Sequence, residues 1–266
     1  EDNQFFEFKE NIIQNNQGPS VLTASGTEVY STKISHNQIL NNTFSSTVFT
    51  INMIESQGDF IFLENLFTDN ILHVDDEDLN TMNSFIKVSS EASDHESLFN
   101  FEACTFVRNT YINSRTFNQY AHNAMITLAL ANSTLMLNRN VFNETRMINS
   151  GSDLFYIAAG KIEVQKCLFA HTRIDDGKSM FHLLSLKIEL HDNVFLDVSM
   201  PVGKGLLCVN PYPSLKGIIV LQMMRNQFQK IFLAGEDSAN VLVVKNSEIV
   251  LTAADNTLID SFSVRP

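Results

Sequence analysis

The chain has 266 residues, 30 acidic against 18 basic side chains, a formal net charge of −12 and a pI near 4.9. That balance argues against nucleic acid or an anionic membrane surface as a partner, because both are held by clustered Lys and Arg. No apolar run approaches the ~18 residues of a membrane span, so no membrane insertion is expected, and Glu1-Asp2-Asn3 does not open a signal peptide.

Along the chain one short phrase recurs. Two apolar residues, one apart, are followed by Asn or Cys and then by an apolar anchor, usually Phe. In order, the copies are Phe6-Phe8-Asn11-Ile13, a weaker one with Asn37, Ile39, Asn42 and Phe44, then Phe60-Phe62-Asn65-Phe67 and Phe99-Phe101-Cys104-Phe106. Leu135-Leu137-Asn140-Phe142, Ile162-Val164-Cys167-Phe169, Ile188-Leu190-Asn193-Phe195, Leu221-Met223-Asn226-Phe228 and Leu251-Ala253-Asn256-Leu258 complete the set. Three residues after the anchor stands a small polar side chain: Asn16, Thr47, Asn70, Asn109, Thr145, Thr172 and Ser261, with Val198 and Ile231 as exceptions.

Repetition on this scale predicts a solenoid. The apolar pair alternates with polar residues, as in Lys161-Ile162-Glu163-Val164-Gln165, which is the period of a half-buried strand. A second short apolar run precedes it in most copies, for example Leu154-Phe155-Tyr156-Ile157 and Leu206-Leu207-Cys208-Val209. Strand, corner, strand, Asn corner predicts an all-β fold, a right-handed parallel β-helix of about nine coils. The phrase I-x-V-x-x-N-x-F-x-x-N/T resembles the repeats of the pectin-lyase-like β-helix superfamily over essentially residues 1–266. That resemblance implies architecture and not activity, because the superfamily includes lyases, hydrolases, adhesins and structural surface proteins. The leucine-rich repeat shares the L-x-L-x-x-N/C-x-L spacing and is the alternative; it predicts helical convex segments. Against it stand Glu96, Asn132, Ala159 and Ser185 where its extra Leu belongs, and anchor intervals ragged from 23 to 39 residues. One β-helix domain is expected over 1–266, and the absence of a recognisable cap at either end predicts a section of a longer solenoid, or contact with other copies or further coils.

Stacked coils place each residue over its own copy, about 4.8 Å away. Asn11, Asn42, Asn65, Cys104, Asn140, Cys167, Asn193, Asn226 and Asn256 are therefore expected to form an internal ladder, the Asn amides bonding along the axis and accepting a left-handed corner. Ile13, Phe44, Phe67, Phe106, Phe142, Phe169, Phe195, Phe228 and Leu258 should form the core stack beside it. Cys104 and Cys167, one coil apart from being neighbours, lie about 10 Å from each other, too far to bridge; both are expected as buried thiols acting as small apolar residues.

The long interval from Phe67 to Phe106 holds Asp75-Asp76-Glu77-Asp78, oxygen donors for Ca²⁺ or simply a solvated loop, without the spacing of an EF-hand. No cofactor is expected. Polygalacturonase-like hydrolases carry N-T-D, D-D, H-G and R-I-K motifs; here Asp175-Asp176 and Arg173-Ile174 overlap, and N-T-D and H-G are missing. Glu163 and Glu189 occupy equivalent outward positions of adjacent coils, with no basic residue placed beside them by sequence. No catalytic residue is predicted. Three sequons, at Asn41, Asn132 and Asn143, could accept glycans in a secreted protein. The expected function is a non-catalytic structural rod, as fibre, coat or adhesin segment, extracellular or at the cell surface, with carbohydrate binding or cleavage as the alternative.

Overall fold

The computed structural model describes residues 4–27, 29–54, 58–74, 83–90, 97–113, 124–148, 152–175, 177–203, 205–211, 217–234, 240–244 and 248–264. Within these the chain is all β, with no helix, which removes the leucine-rich-repeat alternative and its helical convex side. The strands form two fifteen-stranded sheets, paired in parallel from rung to rung, as an all-β parallel solenoid requires. One sheet holds the upstream runs and the phrase's apolar pairs, which merge into single long strands at Ala124–Asn138 and Asp153–Gln165. The other holds the anchors.

Register fixes the anchor column as Ile13, Ile39, Phe67, Phe106, Phe142, Phe169, Phe195, Phe228 and Leu258. Ile39 therefore takes the place expected for Phe44, and Asn37 the place expected for Asn42. Phe44 instead pairs with Leu72, one strand further along. Asn37-Gln38-Ile39 and Asn42-Thr43-Phe44 have the same local form, so only the pairing with Ile13 and Phe67 tells them apart.

Two left-handed corners, five residues apart, frame each short anchor strand. Eighteen non-glycine residues among those described have φ between 48° and 57°: Glu10, His36, Glu64, Ala103, Arg139, Lys166, Asp192, Arg225 and Asp255 at the first corner, and Asn15, Asn41, Asp69, Arg108, Glu144, His171, Asp197, Lys230 and Asp260 at the second. The ladder residue always follows the left-handed residue and does not itself adopt that conformation. Asn is thus selected at the ladder for its amide, not for its backbone tolerance.

The first ladder is directional. Asn37 donates through both its backbone N–H and Nδ2 to Asn65 Oδ1 (3.1 and 2.9 Å), and Nδ2 also donates to Phe8 O (2.9 Å). Asn193 repeats this with Asn226 Oδ1 (3.1 and 3.0 Å) and Val164 O (2.8 Å), and Asn226 with Asn256 and Leu190. Each amide thereby ties three successive rungs and has all its interior hydrogen-bonding capacity used. Cys104 and Cys167 are rungs of this ladder and not merely apolar fillers. Cys104 Sγ–H points at Phe62 O (3.3 Å), its N–H donates to Asn140 Oδ1 (2.9 Å), and its sulfur lies 4.0 Å from Asn65 Nδ2. Cys167 does the same with Leu137 O, Asn193 Oδ1 and Asn140 Nδ2. One sulfur is both weak donor and weak acceptor, which lets Cys stand in for Asn. Burial pushes the Cys104 thiol up to about 12 and the Cys167 thiol to about 11, so the donating proton stays on. No disulfide joins the three cysteines.

A second ladder follows the second corner: Asn16 to Asn42, Asn42 to Asn70 and Asn70 to Asn109, each through N–H and Nδ2. Beyond Asn109 it lapses at Thr145, whose buried Oγ1 has no partner. Inside, Phe67, Phe106, Phe142, Phe169, Phe195 and Phe228 stack with centroids 4.6–5.4 Å apart and planes within 17°. Phe155 and Phe181, from the facing sheet, stack at 4.5 Å and meet that column edge-on at 79–89°. The column thins at its ends, where Leu258 is 60% exposed and has a rung on one side only.

Candidate functional site

Two polar clusters, both on strands of the first sheet, concentrate the chemistry. The first lies on the outward face of the strands Asp153–Gln165 and Lys187–His191, where register places Lys161 beside Lys187, Glu163 beside Glu189 and Gln165 beside His191. Lys161 bonds Glu163 and reaches Glu189 at 3.2 Å; Lys187 lies 3.4 Å from Glu189, and Gln165 Nε2 donates to Glu163 (3.1 Å). His191 Nε2 stands 3.8 Å from Glu189. The two Glu thus have basic partners after all. They were legible: residues two apart on a strand share a face, and Lys161 and Lys187 each precede a Glu by two.

The electrostatics of this patch favour the charged forms of Glu189 and Lys161. Burial works against the Glu189 anion, but hydrogen bonds and attraction from Lys161 and Lys187 outweigh it and hold the carboxyl below its ordinary value. Lys161 is held above its ordinary value in the same way, against the cost of burial, by Glu163 and Glu189. A general acid for glycoside cleavage needs its carboxyl pushed upward so that it keeps a proton near neutrality. Glu189 is moved in the opposite direction, so it can hold a cation or a hydroxyl donor but is poorly placed to protonate a leaving group.

The second cluster was not apparent from spacing, because its members come from three successive rungs, 26 to 29 residues apart. Asp153, 1% exposed, accepts from Ser179 N–H (2.9 Å) and Ser179 Oγ–H (2.6 Å) on Oδ1, and faces His182 Nδ1 at 3.2 Å through Oδ2. His182 Nε2 lies 2.9 Å from Asn210 Nδ2. An amide nitrogen only donates, so Nε2 accepts and the imidazole carries its proton on Nδ1, toward the carboxylate. Tyr156 packs edge-on against the ring at 5.4 Å, and Cys208 is the register partner of His182 on the next strand. With both ring nitrogens engaged, this cluster clamps three rungs together.

The remaining sequence-predicted residues are scattered. Asp75, Asp76, Glu77 and Asp78 lie outside the described residues, as does Asp176. Asp175 is bonded to Arg173 and lies 3.4 Å from Arg146, a surface ion pair. Among the described residues no group of three or more His, Cys, Asp or Glu is placed to hold a metal, and no helix is long and apolar enough to cross a membrane. Asn41 is exposed at a second corner and Asn143 half-buried on the anchor strand before another; Asn132 lies within the long strand Ala124–Asn138. No family model matches the chain, and comparison with curated proteins and with solved structures found no match.

Proposed function

We propose that this chain is a non-catalytic structural rod, a right-handed β-helix of the pectin-lyase-like kind, acting outside the cell or on its surface as part of a fibre, coat or adhesin. The observation that carries this reading is the directional ladder running from Asn11 to Asn256, in which buried amides and thiols tie each rung to its neighbours. Such a column resists shear and bending between rungs. Outward charge is likewise spent along the axis: Arg108 grips Asp69 bidentately (2.6 and 2.8 Å) and Arg225 grips Asp192 (2.7 and 2.9 Å), each across one rung. Immunogold electron microscopy of native material tests the proposal. Label on a surface coat, fibre or extracellular layer supports it; label confined to the cytosol sinks it.

The Lys161–Glu163–Glu189–Lys187 patch favours a second reading, carbohydrate binding along the outer sheet. A glycan array, with Glu163→Gln and Glu189→Gln proteins as controls, decides between them. Specific binding lost in both variants would establish the second reading, and polysaccharide turnover lost with them would overturn the non-catalytic one.

A further inference from the structure

We infer that Asn41 and Asn143 are acceptors for N-linked oligosaccharide and that both glycans project from one edge of the solenoid, an inference resting on the extracellular reading above. Both residues open a sequon, Asn41-Asn42-Thr43 and Asn143-Glu144-Thr145. Sequence alone cannot say whether a folded rod tolerates sugar there; the hydrogen bonds can. Acceptor chemistry removes one Nδ2 proton, forms the Nδ2–C1 bond to the first sugar and breaks the C1–O bond of a polyprenyl-diphosphate donor, whose diphosphate leaves with the electron pair. The product amide keeps a single N–H.

A ladder asparagine cannot give up the other hydrogen. Asn42 uses both, one to Ile13 O (2.9 Å) and one to Asn70 Oδ1 (3.0 Å), in the interior. Its neighbour Asn41 is exposed in the left-handed corner and makes one surface bond, Nδ2 to Asn15 Oδ1 at 2.7 Å, which the remaining N–H of a glycosylated amide can retain. Asn143 faces outward from the strand Val141–Asn143, between Val107 and Ala170 on the adjoining rungs, neither with a side chain that competes for its amide. Among the described residues its side-chain amide makes one hydrogen bond, a long one of 3.4 Å to Glu144 Oε1. Asn41 and Glu144 belong to the same corner column, with Asp69 and Arg108 between them. The two sugars therefore rise from one edge, three rungs or about 14 Å apart, while the Lys161–Glu163 patch lies on the other sheet and stays uncovered.

The chain would be secreted from eukaryotic cells behind a foreign signal peptide, and site occupancy read by peptide mass spectrometry after deglycosylation in heavy-oxygen water. We expect both sites occupied in most molecules, one glycan lost in Asn41→Gln and one in Thr145→Val. Thr145→Val removes the second sequon without touching Asn143, and its lost Oγ1 had no partner. Secreted, folded protein bare at either Asn41 or Asn143 overturns the inference. Native material is a separate arm: sugar on the recombinant chain but none on the native one would count against the extracellular location and leave the acceptor sites standing.

Discussion

At the scale of the residue, the ladder positions offer the sharpest tests. Cys104 sits where Asn stands on the rungs to either side, so Cys104→Asn should fit, restore an amide oxygen for Asn65 and raise stability by roughly 0.5–1 kcal/mol in urea unfolding at pH 7. Cys104→Val keeps the volume but strands Phe62 O without its donor, and should lower stability by about 1–3 kcal/mol. The thiols also impose a pH signature. Each holds its proton more tightly folded than unfolded, so its contribution is complete below pH 9 and is lost as pH rises toward about 11 for Cys167 and about 12 for Cys104. The slope in that window is on the order of 1.4 kcal/mol per pH unit for each thiol. A Cys104→Asn, Cys167→Asn double variant should show a flatter alkaline limb than wild type; parallel limbs would show that the thiols are not buried rungs. Corner residues answer differently. Ala103 is left-handed without the local hydrogen bonding that Asn or Asp brings, so Ala103→Asn should gain about 0.5–1 kcal/mol, read as a shifted urea midpoint with unchanged m-value.

At the scale of the element, the phenylalanine column and the facing pair Phe155–Phe181 fill the interior. Phe142 touches Phe106, Phe155 and Phe169 at 4.6, 4.9 and 5.4 Å. Removing its ring should open a cavity that two stacked neighbours cannot close, so Phe142→Ala should cost about 3–5 kcal/mol by chemical denaturation. A loss under about 1 kcal/mol would mean that the column is not close-packed. Period-two alternation and the Asn-x-Phe spacing made this column and the strand of the apolar pair readable, because each coil repeats the same inward positions; the corner expected before that strand is absent at Ala124–Asn138 and Asp153–Gln165, where the upstream run and the pair form one strand. They failed at the second copy for a physical reason: Asn37-Gln38-Ile39 and Asn42-Thr43-Phe44 satisfy the same local rule, and choosing the aromatic one slid the rung by five residues. The left-handed residue of the first corner was expected at the ladder Asn and lies one position earlier, and the second corner went unread, for a different reason. Cross-rung pairing of their exposed side chains, as in Asp69–Arg108, selects Glu, Arg, Lys, His and Asp there in place of glycine. The Asp153–His182–Asn210 clamp escaped notice because three rungs must be stacked before its members meet.

At the scale of the whole molecule, each rung bonds chiefly to the rungs on either side of it, so stability should behave as a chain of nearest-neighbour terms. Asn140 lies mid-ladder between the two thiols. Its Oδ1 accepts from Cys104 N–H, its Nδ2 donates to Phe101 O at 2.8 Å, and it approaches Cys167 Sγ at 3.9 Å. Asn140→Ala leaves a buried donor and a buried acceptor without partners, at a cost of about 2–5 kcal/mol. If rungs couple only to neighbours, that cost stays local. Hydrogen–deuterium exchange should accelerate in the strands Leu98–Glu102, Thr105–Val107 and Val141–Asn143, weaken over one further rung, and leave Phe195 and the strand Phe49–Ile54 near wild-type protection. Uniform acceleration from end to end would instead mean that the solenoid opens as one cooperative body. Damage should stay confined to the broken rung and its neighbours, because the flanking ladders, from Asn11 to Asn65 and from Asn193 to Asn256, keep every bond that Asn140 did not make.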